Sequence, residues 1–116
     1  MIEPVVFHSN DQTLGSNAYQ STNADNISLK EIKDMALNEF QNLKSEIENR
    51  NIKVTSMKGI EDCPDHIFPN WFITFEDKTF QLFSMKAENR RLEKTPEMIN
   101  FLKESYELTG DLSPSE

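Results

Sequence analysis

The clearest hydrophobic pattern in the chain predicts one long helix. Apolar residues recur at steps of three and four from Leu29 to Ile47, which places them along one helical stripe. Ser28 precedes this stripe and is followed three positions later by Glu31, the spacing of a capping box, in which each side chain satisfies a backbone N–H group of the other residue. We therefore predict a helix over about 29–49 with its charged outer face in solvent.

Shorter apolar runs on both sides of this helix predict strands. The run "PVVFH", residues 4–8, is typical of a buried strand, and "IKVTSM", residues 52–57, alternates and is rich in β-branched residues. The run "WFITFEDKTFQLFSM" predicts a hairpin with strands over 71–76 and 79–84 and an Asp-Lys turn between them. Both hairpin strands are apolar on both faces, so we expect both faces to be covered.

A second helix and one long polar segment complete the pattern. Thr95 is a good N-cap and Pro96 suits a first helical position, which predicts a C-terminal helix over about 96–108. The stretch 9–26 is almost entirely polar, so it is either functional or mobile, and we expect part of it to wrap a site. This element order indicates an α/β fold in which helices pack on a small mixed sheet.

The charge and cysteine content of the chain limit the kinds of molecule that it can be expected to bind. The formal charge is −8 and no basic cluster exceeds Arg90 and Arg91, which disfavours nucleic acid and anionic membranes and favours a guanidinium or amine ligand. Cys63 is the single cysteine, so no intrachain disulfide can form. There is no signal-peptide pattern at the start and no apolar run long enough to span a membrane, so we expect a cytoplasmic protein.

The sequence "DCPDHIFPNW", residues 62–71, gathers a thiol, an imidazole and acids within a few positions. Cys63 and His66 could form the ion pair of a cysteine nucleophile, but without an orienting acid and an oxyanion site a partly buried or loop thiol is favoured. A metal site built on Cys63, Asp65 and His66 is disfavoured because zinc takes four ligands and no second Cys or His pair lies nearby. We predict no catalytic residue, no metal and no cofactor in this chain.

Asp65 and Asn70 suggest a different chemistry. They lie at the mouth of the first hairpin strand, where loop polar groups on a rigid sheet commonly bind ligands. A carboxylate paired with a side-chain amide supplies the acceptors that a guanidinium requires. The alternative is a turn stabilised by Asp and Asn, which the residue types alone favour.

Two motifs in the chain resemble a known family. The stretch "PDHIFPNWFITFEDKTFQLFSMKAENRRLE", residues 64–93, resembles the arginine deiminase-related (amidinotransferase-like) proteins of the pentein superfamily, which carry P-D-A-V-F-P-N-N-W-F-S, a strand pair and M-x-x-x-N-R-R-x-E. The stretch "NDQTLGSNAYQ", residues 10–20, is similar to the family pattern N-x-Q-T-x-x-N-x-x-Q. With "DLSPSE", residues 111–116, the similarity covers nearly the whole chain. One departure is the single Asn70 in place of the family's Asn-Asn pair, which shifts the loop by one residue relative to Trp71.

This resemblance implies a partial pentein fold of one to two ββαβ-type units, since family members have five such units around a pseudo-fivefold axis. It also implies a hydrolase or transferase that attacks guanidino groups with a cysteine near the C-terminus of a longer chain. Cys63 does not match that nucleophile, and the family's catalytic His and Glu are not matched either. The substrate-binding residues that the resemblance implies are Asp65, Phe68, Asn70, Asn89, Arg90 and Arg91.

Two functions follow as hypotheses. In the first, residues 1–116 form a single domain, the N-terminal fragment of a guanidino-modifying enzyme, which supplies a pocket wall but is inactive alone. Its partner would be the remainder of the pentein fold, as a second chain or a missing segment. In the second, the chain is a stand-alone, non-catalytic module that binds a protein or itself through an exposed sheet edge or its acidic surface.

Overall fold

A computed structural model of the chain describes residues 1–16, 18 and 27–116. These residues fall into two compact units, Met1–Ile67 and Phe68–Glu116. Much of the polar stretch expected to wrap a site, residues 17 and 19–26, lies outside the described residues. Within the described ranges, no helix is long and apolar enough to cross a membrane. The organisation of the whole chain as one domain stays a prediction.

The first unit contains, in chain order, β1 (Ile2–Glu3), α1 (Asp11–Leu14), α2 (Leu29–Glu48) and β2 (Met57–Lys58). β1 and β2 pair in parallel, with Ile2 opposite Met57. The strand predicted over 4–8 is therefore wrong, and that over 52–57 overlaps β2 only at Met57. Pro4 explains the first error, because a residue without an N–H group cannot continue the ladder beyond Glu3.

The long helix α2 confirms its prediction and the capping box at its start. The Ser28 hydroxyl accepts from the Glu31 N–H at 3.2 Å, and the Glu31 carboxylate accepts from the Ser28 N–H at 2.9 Å. Phe40 is buried, whereas Leu29 and Leu43 on the same predicted stripe are 59% and 55% exposed. The helix therefore forms from its local pattern and cap, and part of its apolar face is uncovered.

The second unit contains β3 (Phe72–Thr74), β4 (Thr79–Leu82), α3 (Glu88–Arg91), α4 (Pro96–Lys103), β5 (Glu107–Asp111) and a 3₁₀ turn (Ser113–Ser115). β3 and β4 form the predicted antiparallel hairpin, with Phe72 opposite Leu82. The turn between them places Lys78 at a φ of 63°. Asp77 stabilises this turn, because its carboxylate accepts from the backbone N–H of Thr79 at 3.1 Å.

The C-terminal helix begins as predicted but is shorter. Thr95 caps α4 by accepting from the N–H of Met98 at 3.2 Å, and the helix ends at Lys103 rather than near residue 108. The following residues form β5, which pairs in parallel with β4 and makes the second unit's sheet mixed. From Tyr106 to Asp111 the side chains alternate between half-buried and exposed, the period of a strand. The α/β class with small sheets, a long helix and a helix near the C-terminus is confirmed.

The core of the second unit includes side chains from both arms of the hairpin. Trp71, Phe80 and Leu82 are at most 2% exposed. By contrast, Ile73 and Phe75 are 41% and 42% exposed, so the expectation that both faces of the hairpin are covered is wrong. An antiparallel hairpin can leave side chains on one face in water. The sequence alone did not show this exposure, because the exposed positions are apolar as well.

Candidate functional site

The cluster in "DCPDHIFPNW" forms a tight loop that buries its thiol and imidazole. The backbone N–H of Cys63 donates to the Ile60 carbonyl at 3.0 Å, and that of His66 donates to the Cys63 carbonyl at 3.1 Å. Cys63 and His66 are each 2% exposed, while Asp65 between them is half-buried. The loop therefore turns Cys63 and His66 inwards and leaves the carboxylate of Asp65 partly accessible to solvent.

The His66 ring is used structurally. Its Nδ1 accepts from the backbone N–H of Ile60 at 3.2 Å, so a neutral ring carries its proton on Nε2. The Nδ1 lone pair is thus given to the backbone. In the described part of the chain, no group of three or more His, Cys, Asp and Glu side chains could hold a metal ion.

The Asp65 carboxylate is held by side chains from the start of the chain. Its Oδ2 accepts from the amide Nδ2 of Asn10 at 2.8 Å. The hydroxyl of Thr13 lies 3.4 Å from the same oxygen and shares its single proton between that oxygen and the Asn10 carbonyl at 3.3 Å. Asn10 is the N-cap of α1 and is 1% exposed. Because Asn10 and Asp65 are far apart in sequence, this contact ties the polar N-terminal segment to the loop at 60–66.

The charge of Asp65 is not neutralised by these partners. Asn10 and Thr13 are neutral donors, and the two ion pairs found among the described residues, Arg90–Glu93 and Lys94–Glu116, do not involve Asp65. A carboxylate that is positioned by neutral hydrogen bonds keeps its full attraction for a cation. The arrangement is suited to bind a guanidinium or an ammonium ion.

The second unit contains a different polar cluster, which is centred on the guanidinium of Arg90. Its Nη2 donates to the carbonyl of Phe68 at 2.8 Å, to Oδ1 of Asn70 at 2.6 Å and to the Glu93 carboxylate at 3.1 Å. Its Nε pairs with the other oxygen of Glu93 at 2.9 Å. The acceptors around Asn70 thus bind a guanidinium that belongs to the chain itself.

Burial makes the Arg90–Glu93 pair important for folding. Arg90 is 9% exposed and Glu93 is 0% exposed, so the charge of each is satisfied by the other rather than by water. A buried charge that loses its partner is strongly destabilising, since its desolvation is no longer compensated. Arg90 therefore links the backbone at 68–70 to α3 and to Glu93.

The remaining residues implied by the resemblance lie near α3. Arg91 donates from Nε to the Met85 carbonyl at 2.8 Å and from Nη2 to the Lys86 carbonyl at 2.9 Å, which ties down the segment before α3. Asn89 is half-buried in α3, and Phe68 is 55% exposed. Phe68, Asn70 and Arg90 are thus brought together within the second unit, whereas Asp65 belongs to the first. The substrate-binding roles of all six residues stay predictions.

Three contributors were not identified from the sequence as members of these clusters: Asn10, Thr13 and Glu93. The sequence feature that could have predicted the role of Asn10 as a helix cap is its position directly before "DQTL", because Asn is a favoured N-cap residue. For Glu93, it was the i,i+3 spacing from Arg90, which brings the two side chains to one face of a helical turn. The family motif at 10–20 pointed to Asn10, but residue spacing could not predict its contact with Asp65, because that contact joins segments that are distant in the chain.

Comparison with known proteins identifies the family. The family model described as N,N dimethylarginine dimethylhydrolase, eukaryotic, matches residues 3–113 of the 116-residue chain. No curated protein and no solved structure gives a significant match. The mixed α/β architecture is consistent with a partial pentein fold, as the resemblance implied. Because the match extends over nearly all of its sequence, the chain belongs to the dimethylarginine dimethylhydrolase family, a guanidino-modifying hydrolase family of the pentein superfamily.

Proposed function

We propose that the chain supplies the guanidinium-binding carboxylate, but not the nucleophile, to a guanidino-modifying hydrolase site. The observation that carries this proposal is the Asp65 carboxylate, which is held by neutral donors and has no ion-pair partner among the described residues. Family membership supports a guanidino compound as the ligand. The overall charge of −8 favours the approach of such a cation.

The chemistry assigned to Asp65 is binding and orientation. A carboxylate accepts two N–H groups from one guanidinium, which fixes the plane of the ligand as well as its position. A guanidinium held in a fixed plane presents its carbon to a nucleophile from a defined direction. Such an orientation of the bound ligand lowers the barrier of the reaction. In this proposal, Arg90 and Asn70 shape the loop at 68–70, since their polar groups already bind each other.

The same proposal assigns no catalytic step to Cys63. A nucleophilic thiol needs an adjacent base and access to the substrate, and Cys63 is 2% exposed beside a histidine whose Nδ1 accepts from the backbone. The chain alone would then bind a guanidino ligand without converting it, and the remainder of a pentein fold would complete the enzyme. A single cysteine fits the cytoplasm, where thiols stay reduced.

Binding of L-arginine tests the role of Asp65 directly. We expect saturable NMR shift changes in the loop at 60–66 of the unaltered chain. Asp65→Asn should weaken this binding by about tenfold or more, because the charge-assisted hydrogen bonds are lost. Asp62→Asn is the matched control, since Asp62 is exposed in the same region and its removal changes the net charge equally. Equal affinities for the two variants would refute the proposal.

A second candidate function is a non-catalytic module that associates with itself. The uncovered side chains of α2 favour it, because Leu29, Met35 and Leu43 are each more than half exposed. Exposed apolar side chains on a helix can form an interaction site. Light scattering at increasing concentration tests it: self-association that Leu43→Lys abolishes would support this function, and a monomer at all concentrations would refute it.

A further inference from the structure

We infer that Asn10 is a positioning residue, which orients the Asp65 carboxylate towards a guanidinium. This inference rests on the proposed function, and it assigns a role to a residue outside the predicted site. Asn10 is almost fully buried at 1% exposure, which is uncommon for an asparagine unless its polar atoms have partners.

The two ends of the Asn10 amide have separate tasks. Its Oδ1 accepts from the backbone N–H of Gln12 at 3.1 Å and so caps α1. Only the Nδ2 end can then face Asp65, to which it donates at 2.8 Å. A flipped amide would lose both hydrogen bonds, so the cap selects the orientation that the carboxylate requires.

The hydrogen bonds to Asp65 also select one of its oxygens. Within the described residues, the donors Asn10 Nδ2 and Thr13 Oγ1 both end on Oδ2. Fixing one oxygen sets the plane of the carboxylate and therefore the direction in which Oδ1 points. A guanidinium fork depends on that plane, because it donates two parallel hydrogen bonds, whereas an ammonium ion acts as a point charge.

This difference between ligands separates positioning from a structural role. If Asn10 orients the carboxylate, its loss should weaken a guanidinium far more than an ammonium ion. If Asn10 only stabilises the fold, its loss should lower the affinity for both ions to the same extent. The readout is the ratio of the two affinities, which partial unfolding does not change.

The experiment compares methylguanidinium and methylammonium as NMR ligands of the full chain and of Asn10→Ser. Serine keeps an N-cap oxygen but is too short to replace the amide donor to Asp65. We expect Asn10→Ser to weaken methylguanidinium binding about tenfold and to change methylammonium binding by less than about twofold. Asn42→Ser, on the exposed face of α2, makes the same chemical change away from Asp65 and should alter neither affinity.

Two results would overturn the inference: affinities in Asn10→Ser that match the unaltered chain, or equal losses for both ions. If Asn10→Ser does not fold, Thr13→Val decides, since it removes the hydroxyl that Oδ2 shares with the Asn10 carbonyl while nearly keeping the side-chain shape. Its guanidinium-to-ammonium ratio should fall by about twofold, and an unchanged ratio would overturn the inference. Absence of methylguanidinium binding by the unaltered chain would instead reject the proposed function, and the inference with it.

Discussion

At the residue scale, the chain uses two guanidinium-compatible clusters in opposite ways. The Asp65 carboxylate has neutral hydrogen-bond partners, whereas the acceptors near Asn70 are joined to the guanidinium of Arg90. Polar groups of similar type therefore hold an intrachain guanidinium in one case, while in the other they position a carboxylate to which we assign ligand binding only as a proposal. What distinguishes the two clusters is the hydrogen-bond partner of each acceptor. Residue spacing in the sequence does not predict a partner that comes from a distant segment of the chain.

The buried pair Arg90–Glu93 leads to the first prediction. Arg90→Met should lower the free energy of unfolding by about 3 to 5 kcal/mol, because Glu93 would keep a buried charge without its partner. Arg91→Met is the matched control, and its loss of hydrogen bonds to two carbonyls should cost about 1 kcal/mol per bond at most. Urea unfolding measures both. Equal losses would show that Arg90 is no more structural than its neighbour.

The second prediction compares alanine substitutions at two glycines. At both positions the added Cβ would lie at the same distance from its nearest neighbour, but that neighbour is a backbone atom in one case and a side-chain atom in the other. At Gly59 the Cβ would lie 3.1 Å from the backbone oxygen of Glu3, which β1 holds in place. At Gly110 it would lie 3.1 Å from Cγ of Gln81, a side chain that can rotate. Gly59→Ala should therefore cost about 1 to 3 kcal/mol and Gly110→Ala clearly less, as measured by urea unfolding. The reverse order would contradict the assigned pairing of β1 with β2.

At the element scale, sequence patterns correctly predicted the helices and the hairpin that are stabilised by contacts between residues close together in the chain. The capping box and the apolar repeat located α2, and the Asp-Lys turn located the β3–β4 hairpin. The predicted positions of β1 and β2 were wrong because a run of β-branched residues shows only a preference for extended backbone. The residues that pair are decided by Pro4, which ends the ladder, and by the contact between two segments that are distant in the sequence. β5 was missed because the helical pattern was extended past Lys103, although the alternation from Tyr106 onwards indicated a strand.

Three carboxylates at element ends give the chain a pH-dependent stability. The backbone N–H of Ser28, with its hydroxyl, lowers the pKa of Glu31, and hydrogen bonds from Ser113 lower the pKa of Asp111. Burial alone would raise the pKa of Glu116, but hydrogen bonds from Lys94 and the Met85 N–H, with the nearby cationic charge, outweigh it and lower that pKa. Each group is therefore more acidic in the folded chain than in the unfolded one.

The third prediction follows from the sign of these shifts. Where the folded pKa is the lower one, the unfolded chain binds more protons, so the stability is present above the ordinary values of 4.5 for Glu and 3.8 for Asp. It is lost as the pH falls through the folded pKa values. Urea midpoints should therefore decrease from about pH 7 to about pH 3. Glu31→Gln, which keeps a capping side chain without a titrating group, should show a smaller decrease. An equal decrease in this variant would exclude a contribution from Glu31.

At the scale of the whole molecule, the family and the α/β class could be recognised from sequence, but the site could not be completed. The motifs that carry the resemblance lie in loops and in α3, where residue types are specific, and the family match extends over residues 3–113. Residue types and the family motif single out Asp65 as a candidate whose binding role stays a prediction, while its support by Asn10 depends on a tertiary contact. The uncovered apolar side chains of α2 were likewise not evident, since periodicity shows which face is apolar but not what covers it.

The central claim is that this chain binds guanidino compounds through Asp65 and does not convert them by itself. The most direct test incubates the purified chain with L-arginine or an N-methylated arginine at saturating concentration and measures citrulline. We expect no citrulline above the level of a heat-unfolded sample, while NMR shows the ligand bound. Citrulline formed by the chain alone, and abolished by Cys63→Ala, would contradict the account and make the buried thiol the nucleophile.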